Sequence, residues 1–205
     1  MQYTVFDTPF VRTFLRWISL AYLRIFGWSC EGSLPDFPKY VVIAAPHTSN
    51  WDFPITMFMA FALRTKVYWM GKASLFKRPF GPVMRWLGGI PVDRSKSNNV
   101  VEQTIAVFNE HENLVIVVPP EGTRNKVSYW KTGFYHIAHG ANVPIVLGYI
   151  DFQRKAGGIG PVVIPSGDIE TDMYTICSFY AGVIGKYPEK SSLAAIAPER
   201  YRKTA

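Results

Sequence analysis

The segment 114–118 reads Leu-Val-Ile-Val-Val, a run without a polar side chain, and it constrains the fold of this 205-residue chain more than any other stretch. Successive side chains of a strand point to opposite faces of the sheet, so a run apolar at every position must be covered on both sides. The runs 40–45 and 143–150 are of the same kind, and 67–70 reads as a shorter strand. Between them lie stretches of helical length: the apolar 53–63, then 99–109, 131–139 closed by Gly140, and 169–184 introduced by Ser166, Gly167 and Asp168. Strands alternating with helices predict an α/β fold, a mixed and largely parallel sheet flanked by helices. In such folds the reacting groups gather outside the carboxyl ends of the strands.

Three strand ends carry groups that can do chemistry. After 40–45 comes Pro46-His47-Thr48-Ser49-Asn50-Trp51-Asp52-Phe53-Pro54. On one continuous helix His47 and Asp52 would diverge by roughly 140°. They can meet only if the chain bends, with Pro46 ending the strand and Asp52 and Pro54 opening the next helix. A carboxylate there can accept the proton on one imidazole nitrogen and leave the other to take a proton from a substrate hydroxyl. The same residues also fit a helix-capping Asp52 beside a loop histidine. Arg94 ends the segment 88–94, and Glu121-Gly122-Thr123-Arg124 follows soon after 114–118. The arginine fork takes phosphate oxygens two at a time, so a pocket of these groups suits an alcohol bearing a phosphate. Either arginine alone is equally compatible with a surface ion pair.

Charge and aromatic content point to where such a pocket would work. Residues 1–100 hold 12 Lys/Arg against 5 Asp/Glu, whereas the rest is balanced at 10 against 10, so the whole net charge of +7 sits in the first half. A nucleic acid or an anionic membrane surface would both suit that half. Zinc-finger spacing, RNP-like motifs and a Gly-rich basic tail are all missing from the sequence, which sets nucleic acid aside. With 14 Phe, 11 Tyr and 6 Trp, the chain has apolar surface to place somewhere. The segment 10–28 reads as a helix whose longest uncharged run, 17–23, is too short to span a bilayer. Its Arg12, Arg16 and Arg24 fall within a sector of roughly 120°, largely apart from Phe14, Leu15, Ile18, Leu23, Ile25 and Phe26. That pattern fits a helix lying in the membrane interface, and also one covering the core. Residues 31–38, with Gly32, Pro35 and Pro38, read as a linker, so 1–38 is expected as a docking segment and 39–205 as the main domain. A second basic and aromatic stretch, 71–80 with Lys72, Lys77 and Arg78, continues to Arg85 and Trp86, and fits a solvated face, an anionic-lipid contact or a phosphate site. Cys30 and Cys177 read as packed thiols, His136 and His139 lack a third ligand for a metal, and 199–205 reads as a frayed basic tail.

His47-Thr48-Ser49-Asn50-Trp51-Asp52 resembles the H-x4-D block of the glycerolipid acyltransferases, the 1-acyl-glycerol-3-phosphate acyltransferase superfamily. The segment 88–94 is similar to their second block, Pro120-Glu121-Gly122-Thr123-Arg124 to their third and Val143-Pro144-Ile145-Val146 to their fourth, in order. This resemblance implies a peripheral or monotopic O-acyltransferase on the cytoplasmic face of the membrane. In it His47 is the base, Asp52 its orienting partner, and Arg94, Glu121, Gly122, Thr123 and Arg124 form the acceptor-phosphate site, with Lys72 approaching the phosphate. The hydroxyl of a lysophospholipid, 1-acyl-glycerol-3-phosphate giving phosphatidate, would attack the thioester of acyl-CoA or acyl carrier protein directly. The resemblance implies no acyl-enzyme, no cofactor and no metal. Backbone N–H groups near the helix start at Asp52 are candidates for the oxyanion donors. Pro91 and Pro119 stand where the family usually has aromatics, which leaves a lyso-ornithine lipid or another lysophospholipid open as acceptor. Two other functions also fit: a lipid or thioester hydrolase using Ser49 or water with His47, and a non-catalytic membrane-binding module.

Overall fold

A computed structural model describes residues 2–92 and 97–192; Arg94 and the tail 199–205 lie outside the described residues. One sheet contains β1 (Ser29–Glu31), β2 (Lys39–Ala45), β3 (Tyr68–Lys72), β4 (Gly89–Val92), β5 (Leu114–Val118), β6 (Ile145–Asp151) and β7 (Ala156–Val163). Their order is β1-β7-β6-β2-β5-β3-β4, parallel throughout except for the antiparallel pair β6 and β7. The helices are α1 (Pro9–Ile25), α2 (Asp52–Ala62), α3 (Gly81–Trp86), α4 (Ser97–Glu110), α5 (Gly133–Gly140) and α6 (Ile169–Tyr180). This is the mixed, largely parallel α/β sheet that the two-sided strands require.

The topology explains those two-sided strands. β2 and β5 are neighbours, yet the chain leaving β2 passes through α2 to β3 on one side, and the chain leaving β5 passes through α5 to β6 on the other. Right-handed crossovers running in opposite directions put their helices on opposite faces. Accordingly Tyr40, Val42, Val115 and Val117 cluster with Met57, Ala60 and Phe61 of α2 and with Val5 and Phe6 near the amino terminus. Val41, Ile43, Leu114 and Ile116 pack instead with Phe108 of α4, Phe134 and Ile137 of α5, and Met173 and Ile176 of α6. Where neighbouring strands send their connections opposite ways, a crevice opens at their carboxyl ends.

Several boundaries differ from the sequence reading. α1 stops at Ile25 because Gly27 is left-handed at φ 70°, with Trp28 N–H donating to Leu23 O at 2.7 Å and Gly27 N–H to Arg24 O at 3.3 Å. These bonds form a Schellman ending, three residues before the expected one. The chain then enters β1, so the segment expected as docking helix and linker supplies an edge strand paired with β7. Asn142, at φ 52°, is the left-handed residue after α5, a role the sequence reading gave to Gly140. α6 ends at Tyr180 and not at 184. Cys30 is exposed on β1 and Cys177 is half-buried, so neither is a fully packed thiol.

Tyr180 joins the two halves of the sheet. Its fully buried hydroxyl lies 2.9 Å from Gly148 O on β6 and 3.2 Å from Ile43 O on β2, and donates to them. Tyr180→Phe is expected to lower the unfolding free energy by about 1–3 kcal/mol, read as a lower urea midpoint at an unchanged slope. Coincident unfolding curves would mean that the two carbonyls do not depend on this donor.

Candidate active site

The loop leaving β2 is folded around one carboxylate oxygen. Oδ2 of Asp52 accepts Thr48 N–H and Ser49 N–H, both at 2.8 Å, and lies 3.0 Å from His47 Nδ1. Trp51 holds the N-cap position of α2 without a side-chain cap, and Asp52 is the first helical residue. Its carboxylate therefore turns back over the preceding turn and serves the loop and the imidazole. Asp52 is buried, while the His47 side chain keeps about a quarter of its surface in the open. A carboxylate at Nδ1 keeps the proton of a neutral imidazole there and leaves Nε2 as the basic lone pair. Thr48 and Ser49 N–H are engaged by Asp52, which takes these two out of the set of oxyanion donors expected near the helix start. Ser49 is itself buried, and its Oγ accepts Trp51 N–H at 3.1 Å.

The loop leaving β5 meets this one from the side. Gly122 turns with φ 64°, a conformation that L side chains rarely take, and the Lys131 side chain passes 3.4 Å from where a Cβ would stand. Arg124 Nη1 donates to Asn50 Oδ1, joining the two loops at their outer edge. Glu121 joins them deeper: only 3% exposed, it accepts His47 N–H on Oε1 at 3.2 Å. Burial raises the Glu121 carboxyl from 4.5 to about 7, against the lowering effect of main-chain hydrogen bonds and of the His47 charge, with Asp52 adding to the rise.

A cavity of about 760 Å³ opens at these loops and runs between α2 and its face of the sheet. His47, Asp52, Asn50, Lys72, Thr123 and Arg124 are among its polar lining, and Tyr40, Val42, Met57, Ala60 and Val117 are among its apolar lining; Leu34 and Ile159 also border it. A polar set beside a long apolar interior fits an amphiphile, with the chain inward and the charged group outward. Of the residues expected from sequence, His47, Asp52, Lys72, Gly122, Thr123 and Arg124 border this one space. Glu121 stands behind it, against the main chain of His47, and Arg94 is outside the described residues. Asn50 was missed, although it lies inside the H-x4-D block. The cavity was missed because an apolar pattern reads the same whether a side chain packs or lines a void.

The raised Glu121 carboxyl has a consequence for stability. The folded chain holds this proton more tightly than the unfolded chain, so stability falls as pH rises from 4.5 through about 7. Glu121→Gln removes that dependence. Across this window the stability of the variant relative to the parent is expected to rise by on the order of 3 kcal/mol in urea unfolding. A difference that stays constant with pH would show that Glu121 does not titrate there.

Comparison with known proteins agrees with this architecture. No curated protein sequence matches the chain. Its fold is similar to the crystal structure of the 1-acyl-sn-glycerophosphate (LPA) acyltransferase PlsC from Thermotoga maritima, at 19% identity over 81% of this chain and 75% of that one, with a TM-score of 0.55. Residues 33–150, which take in β2 to β6 apart from the last residue and both strand-end loops, match the Acyltransferase family. A sequence match over more than half the chain, carrying the His47 and Glu121 loops with it, means that this protein belongs to the acyltransferase family and is an acyltransferase.

Proposed function

We propose that the protein transfers a fatty acyl group from a thioester, acyl-CoA or acyl carrier protein, to the free hydroxyl of a lysophospholipid, with 1-acyl-glycerol-3-phosphate as the first acceptor to test. The observation that carries this reading is the His47–Asp52 pair at the edge of an apolar cavity that Lys72 and Arg124 also border. Nε2 of His47 takes the acceptor hydroxyl proton as that oxygen attacks the thioester carbonyl. The C–S bond of the tetrahedral intermediate then breaks, and the imidazolium returns the proton to the leaving thiolate. Asp52 holds the ring in the required tautomer and offsets the imidazolium charge while it lasts. The apolar interior takes an acyl chain, and Lys72 and Arg124 meet the acceptor phosphate with charge-assisted hydrogen bonds.

Ser49 is a poor nucleophile for the alternative hydrolase: it is buried and its hydroxyl is engaged by Trp51 N–H. Direct attack by the acceptor needs no such residue.

The same reading sets the enzyme on a membrane, at its cytoplasmic face. Among the described residues no helix is long and apolar enough to cross a bilayer. α1 has two apolar sides. Ser19 and Leu23 are buried, while Phe10, Phe14, Trp17, Ile18 and Ile25 are exposed on another face, Phe14 and Trp17 each at 64%. Leu75, Phe80, Val83 and Trp86 add exposed apolar surface around α3. Such a face, with Arg12 and Arg24 exposed on the same helix, suits the headgroup and upper acyl region of an anionic bilayer.

The first test is thiol release from palmitoyl-CoA in detergent, with and without 1-oleoyl-glycerol-3-phosphate, and with products resolved by mass spectrometry. Acceptor-dependent release with a two-chain phosphatidate is expected. His47→Ala should abolish it, and Asp52→Asn should lower kcat roughly 10²- to 10⁴-fold with little change in acceptor KM. Palmitate released without acceptor would favour a hydrolase. Failure with lysophosphatidate, other lysolipids and acyl carrier protein donors would sink the transferase. For the membrane part, Phe14→Glu combined with Trp17→Glu should cut co-flotation with anionic vesicles by roughly tenfold or more. Equal flotation of the parent and the variant would remove α1 as the docking element.

A further inference from the structure

The strand pairing of β2 with β5 ends at Ile43 and Val118, while β2 stays paired with β6 as far as Ala45. Past Val118 the loops that follow β2 and β5 are no longer joined to each other by a strand ladder, and two side-chain ties between them cross the gap. Arg124 to Asn50 lies at the cavity lining, and Glu121 to His47 N–H lies deeper. Gly122, Thr123 and Arg124 border the cavity, whereas Glu121 is not among its lining residues and is 3% exposed. In its ionised form the Glu121 carboxyl would also repel an acceptor phosphate, since like charges repel most strongly where water is excluded.

Building on the acyl-transfer reading, we propose that Glu121 is a positioning residue that acts through the main chain of His47, and that it makes no contact with the acceptor phosphate. Oε1 fixes the His47 amide, and with it the start of the imidazole side chain, while Asp52 Oδ2 fixes the far side of the ring. Two anchors on one residue leave the ring little freedom to swing from the hydroxyl it must deprotonate. Near-attack geometry is sensitive to such shifts: a misplacement of about 1 Å can cost about 10²-fold in rate. Oε2 is buried with no hydrogen-bond partner among the described residues; the carboxyl is held by its own main-chain amide and by His47 N–H, and the second of these is the bond that crosses to the β2 loop.

Reach and charge can be separated by substitution. Glu121→Gln keeps the length and an oxygen acceptor but loses the charge, whereas Glu121→Asp keeps the charge and loses the reach. The positioning role predicts that Glu121→Asp and Glu121→Ala each lower kcat roughly 10- to 100-fold, with acceptor KM within about twofold of the parent. Glu121→Gln should recover most of that kcat. A rise of roughly tenfold in acceptor KM at unchanged kcat, in Glu121→Gln or Glu121→Asp, would instead mean direct contact with the acceptor. A Gln variant as impaired as the Asp variant would also overturn the proposal.

A second readout needs no turnover. Long-range ¹H–¹⁵N NMR of the four histidines, with His47 assigned by its loss in His47→Gln, reports the ring's tautomer and surroundings. The His47 nitrogen shifts should move in Glu121→Asp and stay near the parent's in Glu121→Gln. Shifts unmoved in Glu121→Asp would overturn the positioning role. Loss of acyl transfer in the parent protein would sink the proposed function and leave this spectral comparison intact, so the two failures are distinguishable.

Discussion

The site depends on what one buried oxygen accepts. Asp52 Oδ2 faces two main-chain N–H groups and one imidazole nitrogen, and these three partners define the turn between β2 and α2. A carboxylate leaves water only where donors replace the lost hydration, and amides held in a tight turn are such donors. The His47–Asp52 pair and the turn are therefore one object. His47 and Asp52 sit five residues apart because that is the length of chain needed for the carboxylate at the head of α2 to reach back to the end of β2. α2 accordingly starts with no side-chain cap: the Trp51 indole has no acceptor to offer, and the Asp52 carboxylate is committed to the loop.

Topology then decides what can meet that pair. The connections from β2 and β5 diverge, so their loops face each other across an opening that no crossover covers. The same divergence sends α2 onto one face, opposite the layer of α4, α5 and α6. The face under α2 is where the cavity lies, with the even-numbered residues of β2 and the odd-numbered residues of β5 lining it. An amphiphilic substrate is thus matched by the sheet's own alternation: apolar side chains along the face and polar groups at the strand ends.

Much of this was legible in the sequence, and the reason is local. β5 declared itself because both of its faces are buried, and the His47 and Arg124 loops because a strand, a breaker and a helix start followed one another in order. β7 was illegible for a physical cause. Its Ala-Gly-Gly-Ile-Gly-Pro opening has almost no β-branched character, because a Cβ at Gly158 would stand 2.0 Å from Glu31 O and one at Gly160 2.4 Å from the Phe179 ring. Residues selected for close approach to a neighbour carry no strand signal. The depth of Glu121 was illegible for a different reason. A motif groups residues by sequence, and within Glu121-Gly122-Thr123-Arg124 only the folded structure separates the residue behind the wall from those that form it.

α1 carries apolar side chains on two sides, one buried and one exposed. Its arginines and aromatics suited either a membrane-facing or a core-covering helix, and the helix has an apolar stripe on each side. Leu23 packs with Ile55 and Met59 of α2, and the Tyr22 ring lies 4.5 Å from that of Phe58, while Phe14 and Trp17 face outward. α2 is the wall of the cavity on the side away from the sheet. A helix seated in the bilayer surface by its outer stripe would therefore hold the cavity wall with its inner one. Such a seating would tie the orientation of the pocket to the plane of the lipid through the packed pair α1 and α2, with α1 leading on into β1 and so into the sheet. An acceptor drawn from the lipid surface would then meet a pocket whose orientation to that surface is fixed by packing, which lowers the entropy cost of bringing a hydroxyl to His47.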